Sequence, residues 1–198
     1  MIKINKCAIY GGTFDPIHNG HLHLIKELTN TGEFDKFIIV PTGTPSQRSA
    51  IASAEDRFEM TRLAVAQAIG SDSRVEVADI EVKRDGLSFA IDTVTEISQK
   101  YPQHEIYWVI GSDAFPSIET WHNFSELSKI VKFLVIERPG YTESVPPLEV
   151  QFERRKIAAL DLSASEIRNQ LRADQDISNN VPSSVLEFIK RNGLYGAA

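Results

Sequence analysis

A predicted strand, glycine turn and helix stand near the start of this sequence, and no other stretch limits the fold as strongly. Residues 7–10 are apolar and end at Gly11 and Gly12, which is typical of a short buried strand. His18 and His21 follow at the start of a helix, three residues apart, so both project from nearly the same face. The apolar positions of that helix recur at helical spacing: Leu22, Leu24, Ile25 and Leu28. Because backbone N–H groups at a helix start lack internal partners and carry partial positive charge, this arrangement predicts a polyphosphate site.

Histidines at this spacing also occur as exposed surface residues without a function, or as two of the ligands of a metal site. A zinc site needs further ligands, and this chain has one cysteine, Cys7, and no His-Glu-x-x-His motif. The position of His18 and His21 between an apolar strand and a helix therefore favours phosphate binding. No residues are predicted to ligate a metal.

Strands and helices alternate along the sequence, which is typical of a parallel sheet covered by helices on both faces. We predict a single Rossmann-like, doubly wound α/β domain over residues 1–198, with a mainly parallel central sheet and a C-terminal helical portion at 163–195. Further strands are predicted at 36–41, 75–82 (with a break near 79), 105–110 and 132–136; further helices from 53, and at 89–99, 164–172 and 182–191; and loops at 42–52 and 141–153.

Glycines follow two of these strands, and their position suggests a shared crevice. Gly11 and Gly12 follow the first strand, and Gly111-Ser112-Asp113 follows the strand that contains the core residue Trp108. Doubly wound sheets bind ligands beyond the carboxyl ends of their strands, where the strand order reverses. In a 3-2-1-4-5 order these two strands are neighbours, so both glycine segments would face one crevice. Asp113 would then turn a carboxylate toward ribose hydroxyls, although a turn capped by its side chain is the simpler alternative.

The composition of the chain limits the kinds of partner that it is expected to bind. It has 198 residues, enough for one domain with a substantial core, and a formal net charge of −6 with no basic block. Binding to nucleic acid or to a membrane surface rests on clustered lysine and arginine, so neither is expected as the main partner. A small anionic ligand in a local cationic pocket is compatible with this charge. The single cysteine allows no internal disulfide, no signal peptide or long apolar run is visible, and the cytoplasm is the expected compartment.

A second candidate phosphate site opens the helix predicted at 164–172. Ser163 followed three residues later by Glu166 is a capping box, which starts many helices whatever their function. Capping and phosphate binding do not compete, because a capped helix start also presents free amides to an anion. Arg168 lies one turn further along, and its forked guanidinium suits phosphate oxygens.

The segment Gly-Gly-Thr-Phe-Asp-Pro-Ile-His-Asn-Gly-His at 11–21 resembles the (Ser/Thr)-Phe-Asp-Pro-x-His-x-Gly-His signature of a nucleotidyltransferase superfamily. Within that superfamily the chain is similar to the bacterial nicotinate-mononucleotide adenylyltransferases. The resemblance runs from Ile9 to Tyr195 in the family's order, and includes the Thr-Trp pair, Arg-Pro-Gly and the closing segment at 181–195. Those three features separate it from pantetheine-phosphate adenylyltransferases, which are shorter and lack them.

The resemblance implies transfer of AMP from ATP to nicotinate mononucleotide, giving deamido-NAD and pyrophosphate by in-line attack at the α-phosphorus, with no covalent enzyme intermediate. Protein catalysis of such a step is mainly positioning and stabilisation of charge. His18, His21 and Arg168 are the expected catalytic residues, and a divalent ion, expected to be Mg²⁺, would arrive with ATP. The expected ATP-binding residues are Gly11, Gly12, Thr13, Phe14, Arg48, Gly111, Asp113, Arg138, Ser163 and Ser165; at position 165 the family's Ser-x-Thr-x-x-Arg motif has threonine.

The resemblance also implies a mononucleotide site. Trp121 would stack on the pyridine ring, and the backbone amides of Ile91 and His122 would hold its carboxylate. Ala90 stands where the family usually has threonine, so a side-chain hydroxyl contact is lost there. On sequence alone, simple packing of Trp121 is an even alternative.

Two further arginines and one basic run complete the candidate residues. Arg48 lies in Pro-Ser-Gln-Arg, where the family has Pro-Pro-His-Lys or Pro-Pro-His-Arg, and is expected to touch phosphate; Arg138 precedes Pro-Gly and is expected near the adenosine. The run 154–156 is interpreted as a solvated face.

Alternatives to the main hypothesis are a preference for nicotinamide mononucleotide or another small phosphate, and a non-catalytic nucleotide-binding module. The oligomeric state is open, with a homodimer as one option.

Overall fold

The computed structural model describes residues 4–46, 49–137, 150–158 and 160–197. Its strands are β1 (Asn5–Gly12), β2 (Lys36–Pro41), β3 (Thr44–Pro45), β4 (Val75–Val77), β5 (Leu87–Ser88), β6 (His104–Gly111), β7 (Lys132–Glu137) and β8 (Phe152–Lys156). Its α-helices are α1 (Asn19–Asn30), α2 (Ala54–Ile69), α3 (Ala90–Lys100), α4 (Phe124–Ile130), α5 (Ala164–Arg172) and α6 (Ser183–Arg191). Two short 3₁₀ helices span Phe115–Thr120 and Leu194–Gly196.

Six strands form the main sheet in the order β4-β2-β1-β6-β7-β8, and every neighbouring pair is parallel. The order reverses between β1 and β6, which pair over five residues, from Asn5 with His104 to Ile9 with Trp108. The strands β3 and β5 form a separate two-residue ladder. This topology confirms the predicted doubly wound α/β class and the predicted contact between the first strand and the strand of Trp108.

The core lies on both faces of the sheet, because successive residues of a strand point to opposite sides. Ala8 of β1 packs on the face covered by α1, α2, α5 and α6, whereas Cys7 and Ile9 pack on the face covered by α3 and α4. Buried strands of this kind are nearly continuous apolar runs, as the sequence shows. Burial raises the pKa of the Cys7 thiol to about 12, as expected for a core position.

Several predicted boundaries are wrong. The strand expected over 75–82 ends at Val77, because the amide of Ala78 makes the last bond to β2, to the Ile39 carbonyl 2.9 Å away, and the chain then turns off the sheet. The loop expected over 141–153 extends too far, since Phe152 and Glu153 belong to β8; residues 141–149 lie outside the described residues. The two-residue strand β3 interrupts the predicted loop 42–52.

The basic run at 154–156 is also not a simple solvated face. Arg154 and Arg155 are half-buried in the edge strand β8, and Arg155 donates to the Glu33 carboxylate over 2.9 Å. Only Lys156 of this run is exposed. Charged residues on an edge strand discourage pairing with other chains, and the same composition concealed the strand from the sequence pattern.

Candidate active site

Two adjoining cavities open at the carboxyl ends of β1 and β6. The larger has a volume of about 600 Å³ and the smaller about 260 Å³. Both are lined by Gly11, Gly12, Trp108 and Trp121, so they form one continuous crevice. This crevice lies where the strand order reverses, as expected for the ligand site of a doubly wound sheet.

Glycine is required at the end of β1 by two aromatic rings. A Cβ atom at Gly11 would lie 3.0 Å from the Cη2 and Cζ2 atoms of Trp108, and one at Gly12 would lie 2.8 Å from the ring of Phe14. Phe14 itself is buried and has a φ of 49°. The glycines therefore let the Trp108 indole and the Phe14 ring close over the strand end and shape the floor of the crevice.

The two histidines occupy the start of α1, as predicted, and their rings stack on each other. His18 is the residue before the first helical position, His21 is the third residue of the helix, and their ring centroids are 3.7 Å apart. The backbone amide of His18 donates to Nδ1 of His21 over 3.2 Å. This bond assigns Nδ1 as the acceptor, so the neutral His21 ring carries its proton on Nε2. His21 lines the smaller cavity, where such a donor can meet a phosphate oxygen.

The smaller cavity continues along the end of β6. Gly111 and Asp113, both predicted from the sequence, line it together with Phe14. The Ser112 amide donates to the Ile136 carbonyl over 2.9 Å, which holds this turn against β7. The predicted convergence of the first glycine segment with Gly111-Ser112-Asp113 is thus present in the structure.

The larger cavity holds most of the residues predicted for the mononucleotide. Ala90, Trp121 and His122 line it, and Thr13 lines it from the side of β1. Trp121 is half-buried and rests edge-on against Trp108, with ring centroids 5.9 Å apart. Part of its indole therefore remains accessible to a flat ligand.

Helix α3 begins at this cavity without a side-chain cap. Phe89 precedes the first helical residue and provides no capping hydrogen bond, and its ring stacks on His122 with centroids 4.2 Å apart. Ile91 does not line the cavity, since its side chain is buried in the core. Its backbone amide, however, lies in the first turn, where amides have no acceptor within the helix and favour an anion.

Helix α5 brings the predicted C-terminal motif to the segment between β1 and α1. Arg168 donates from Nη1 to the Asp15 carbonyl over 2.6 Å and from Nη2 to the Ser165 hydroxyl over 3.1 Å. Ser163 caps α5: its hydroxyl accepts from the Glu166 amide over 3.2 Å. The guanidinium of Arg168 is therefore anchored three residues before His18, although neither Arg168 nor the two serines is among the residues that line the cavities.

Asp15 ties that segment to two further parts of the chain. Its buried carboxylate accepts hydrogen bonds from the amides of Ile51 (2.7 Å) and Ala52 (3.1 Å) and from the Tyr195 hydroxyl (2.7 Å). Burial, followed by this bond to Asp15, raises the pKa of Tyr195. The C-terminal segment is thus fastened to the crevice through the Tyr195 hydroxyl.

Two buried charged residues near the crevice were missed by sequence reasoning. Glu81 lines the larger cavity, accepts a 2.6 Å hydrogen bond from the Thr93 hydroxyl, and is only 4% exposed, so burial raises its pKa. Arg57 is 1% exposed, and its guanidinium donates to the carbonyls of Thr13, Thr42 and Gly43 beside the same cavity. The signal for Arg57 was its helical spacing from the apolar residues that follow it. The buried stripe of α2 consists of Arg57, Met60, Thr61, Ala64 and Val65.

Two predicted site residues, Arg48 and Arg138, lie outside the described residues. Within the described ranges, no group of three or more histidine, cysteine, aspartate or glutamate residues is arranged to hold a metal ion. No helix in the described part of the chain combines the length and apolar character needed to cross a membrane.

The fold and the crevice define a class, the α/β proteins that bind nucleotides at the carboxyl ends of parallel strands. Comparison with known proteins identifies the family within this class. The chain belongs to the Cytidylyltransferase-like family, whose profile matches residues 9–170. This family membership, together with the relatives below, confirms the resemblance to nucleotidyltransferases.

Relatives match the chain over nearly its whole length. A probable nicotinate-nucleotide adenylyltransferase of Clostridium tetani is 32% identical and covers 97% of this chain and 100% of the relative. One of the same name from Desulfitobacterium hafniense is 34% identical, over 96% of this chain and 95% of the relative. The Plasmodium falciparum nicotinic acid mononucleotide adenylyltransferase complexed with NaAD shares the fold, with a TM-score of 0.84, 21% identity and 98% coverage of both chains.

Proposed function

We propose that this chain transfers the AMP unit of ATP to nicotinate mononucleotide, giving deamido-NAD and pyrophosphate in NAD biosynthesis. One observation carries the proposal: the same crevice joins the histidine-bearing start of α1, the uncapped start of α3 and the accessible face of Trp121. These are sites for a polyphosphate, a carboxylate and an aromatic ring, which are the groups of the two substrates. The names of the relatives support the same reaction.

In this proposal the triphosphate lies across the smaller cavity. An oxygen of the acceptor phosphate attacks the α-phosphorus, the new oxygen–phosphorus bond forms, and the bond to the β-phosphate oxygen breaks as pyrophosphate leaves. His18, His21 and Arg168 donate hydrogen bonds to oxygens on which charge develops, which is the main protein contribution to such reactions. ATP-binding roles are proposed for Gly11, Gly12, Thr13, Phe14, Gly111, Asp113, Ser163 and Ser165, and for Arg48 and Arg138 outside the described residues.

The mononucleotide lies in the larger cavity, with its pyridine ring on Trp121. The amides of Ile91 and His122 bind its carboxylate, beside Ala90. The raised pKa of Glu81 favours the neutral carboxyl form, which reduces repulsion of a carboxylate ligand in the same cavity.

Adenylyl transfer from ATP generally uses a divalent metal ion, which offsets phosphate charge. We propose that the ion is Mg²⁺ and that triphosphate oxygens hold it, since oxygen ligands suit it and it commonly binds through substrate phosphates.

The cytoplasm remains the predicted compartment, and a homodimer remains one option for the oligomeric state.

Pyrophosphate release tests the proposal. The protein is incubated with ATP, Mg²⁺ and either nicotinate or nicotinamide mononucleotide, and kcat/KM is compared. We expect a preference of at least about tenfold for nicotinate, equivalent to about 1.4 kcal/mol. A preference for the amide would overturn the choice of substrate, for which the alanine at position 90 leaves room. No release with either mononucleotide would favour the non-catalytic alternative.

A further inference from the structure

Arg57 is a fully buried guanidinium that makes four hydrogen bonds, each to a backbone carbonyl oxygen. Its Nε donates to Ala52 (3.2 Å), its Nη1 to Thr13 (2.8 Å) and to Thr42, and its Nη2 to Gly43 (2.6 Å). Burial lowers its pKa, and the nearby Asp15 charge opposes that shift. An arginine stays charged under these conditions, so its burial needs these oriented carbonyl dipoles.

The four carbonyls belong to the two loops that form one wall of the larger cavity. Thr13 follows β1, and Thr42 and Gly43 follow β2; Thr13 and Thr42 line the cavity directly. Arg57 therefore joins these loops from beneath through their carbonyls. Asp15 makes the complementary connection, because its carboxylate accepts amides at the far end of the second loop, from Ile51 and Ala52.

The second loop packs against the segment that leads into α3. Pro45 pairs with Ser88 in the β3–β5 ladder, and Pro45, Ser46, Ala90 and Trp121 all line the larger cavity. A Cβ atom at Gly43 would lie 2.0 Å from the Glu81 carbonyl oxygen, so the loop packs closely on that segment. The position of the loop on its Arg57 support thus sets how far the start of α3 lies from the end of β1 across the larger cavity.

We propose that Arg57 is a positioning residue that sets the width of the larger cavity and thereby the affinity for the acceptor mononucleotide; this inference rests on the proposed function. A lysine at this position keeps the charge, but three donors on one nitrogen cannot span carbonyls that a planar fork reaches. Displacing the second loop weakens acceptor contacts, because Thr42, Pro45 and Ser46 line the larger cavity. Arg57 also holds the Thr13 carbonyl, so a smaller change in ATP binding is expected beside this effect.

The test compares Arg57→Lys with Met60→Ala, a fully buried substitution on the same helix that contacts neither loop by hydrogen bond. Each protein is assayed well below its own unfolding midpoint. For Arg57→Lys we expect the KM for nicotinate mononucleotide to rise by at least about tenfold, and by at least about threefold more than the KM for ATP. Met60→Ala should lower the midpoint but leave both KM values unchanged.

Gly43→Ala provides a second variant if Arg57→Lys does not fold. Its methyl group displaces the loop from the Glu81 carbonyl, so the same selective rise in acceptor KM is expected. An unchanged acceptor KM in a folded loop variant, or an equal rise in Met60→Ala, would overturn the inference while the proposed function stands. A wild-type protein that releases no pyrophosphate would overturn both.

Discussion

The hydrogen bond between Tyr195 and Asp15 allows a quantitative test of how the end of the chain is fastened to the crevice. The hydroxyl donates to a buried carboxylate over 2.7 Å, and both residues are at most 6% exposed. A hydrogen bond to a charged group contributes about 1.5–3 kcal/mol. In Tyr195→Phe the carboxylate keeps its two backbone amide donors, so we expect a loss of about 2 kcal/mol in the free energy of unfolding.

Urea denaturation measures this loss, and the thermal unfolding midpoint should fall by about 4–8 °C in a chain of this size. Tyr101→Phe is the matched control: its hydroxyl donates to Glu76 over 3.3 Å near the surface, and its removal should change stability by less than about 0.5 kcal/mol. Combining Tyr195→Phe with Asp15→Asn should give a coupling energy of about 1 kcal/mol or more. Equal losses in the two tyrosine variants, or strict additivity in the double variant, would refute the reasoning.

Three further substitutions test the crevice. His21→Ala should lower kcat by about 10²–10³, since it removes one donor to the developing charge, and near-normal turnover would exclude that role. Trp121→Ala should raise the KM for the mononucleotide by about 5- to 150-fold, the equivalent of 1–3 kcal/mol of stacking, with little change in stability; an unchanged KM would contradict stacking. Glu81→Gln should stabilise the protein increasingly as the pH rises from 4 to 7, measured by thermal unfolding. Because the pKa of Glu81 is higher in the folded protein than in the unfolded chain, wild-type stability falls as the pH rises from the unfolded pKa toward the folded pKa. A pH-independent difference between the two proteins would contradict burial as the cause.

The alternation of apolar strands and helices was sufficient to predict the sheet. The strand at 36–41 and the helix at 164–172 match β2 and α5 residue for residue. Edge strands were harder to predict from the sequence, because a strand that is exposed to solvent on one side has fewer apolar residues and a weaker alternating pattern. That is why β4 is shorter than predicted and why β8, with four charged residues among five, was missed.

The motif residues of the crevice were found because glycines, histidines and an aromatic residue at strand and helix ends have a local pattern. Glu81 has no such pattern, and neither does the Tyr195–Asp15 bond, which joins residues 180 positions apart. The glycines of β1 also have a different cause from the one that their pattern suggests. The resemblance implies that they bind ATP, whereas Trp108 and Phe14 already require glycine at those positions.

We propose that the histidines at the start of α1 and Arg168 of α5 act on one triphosphate, with the acceptor ring on Trp121. A crystal structure with a non-hydrolysable ATP analogue and nicotinate mononucleotide tests it most directly. We predict phosphate oxygens within about 3.2 Å of both His21 Nε2 and the Arg168 guanidinium, with the pyridine ring against the Trp121 indole. A triphosphate that contacts only one of these two side chains, or a mononucleotide bound away from Trp121, would contradict the account.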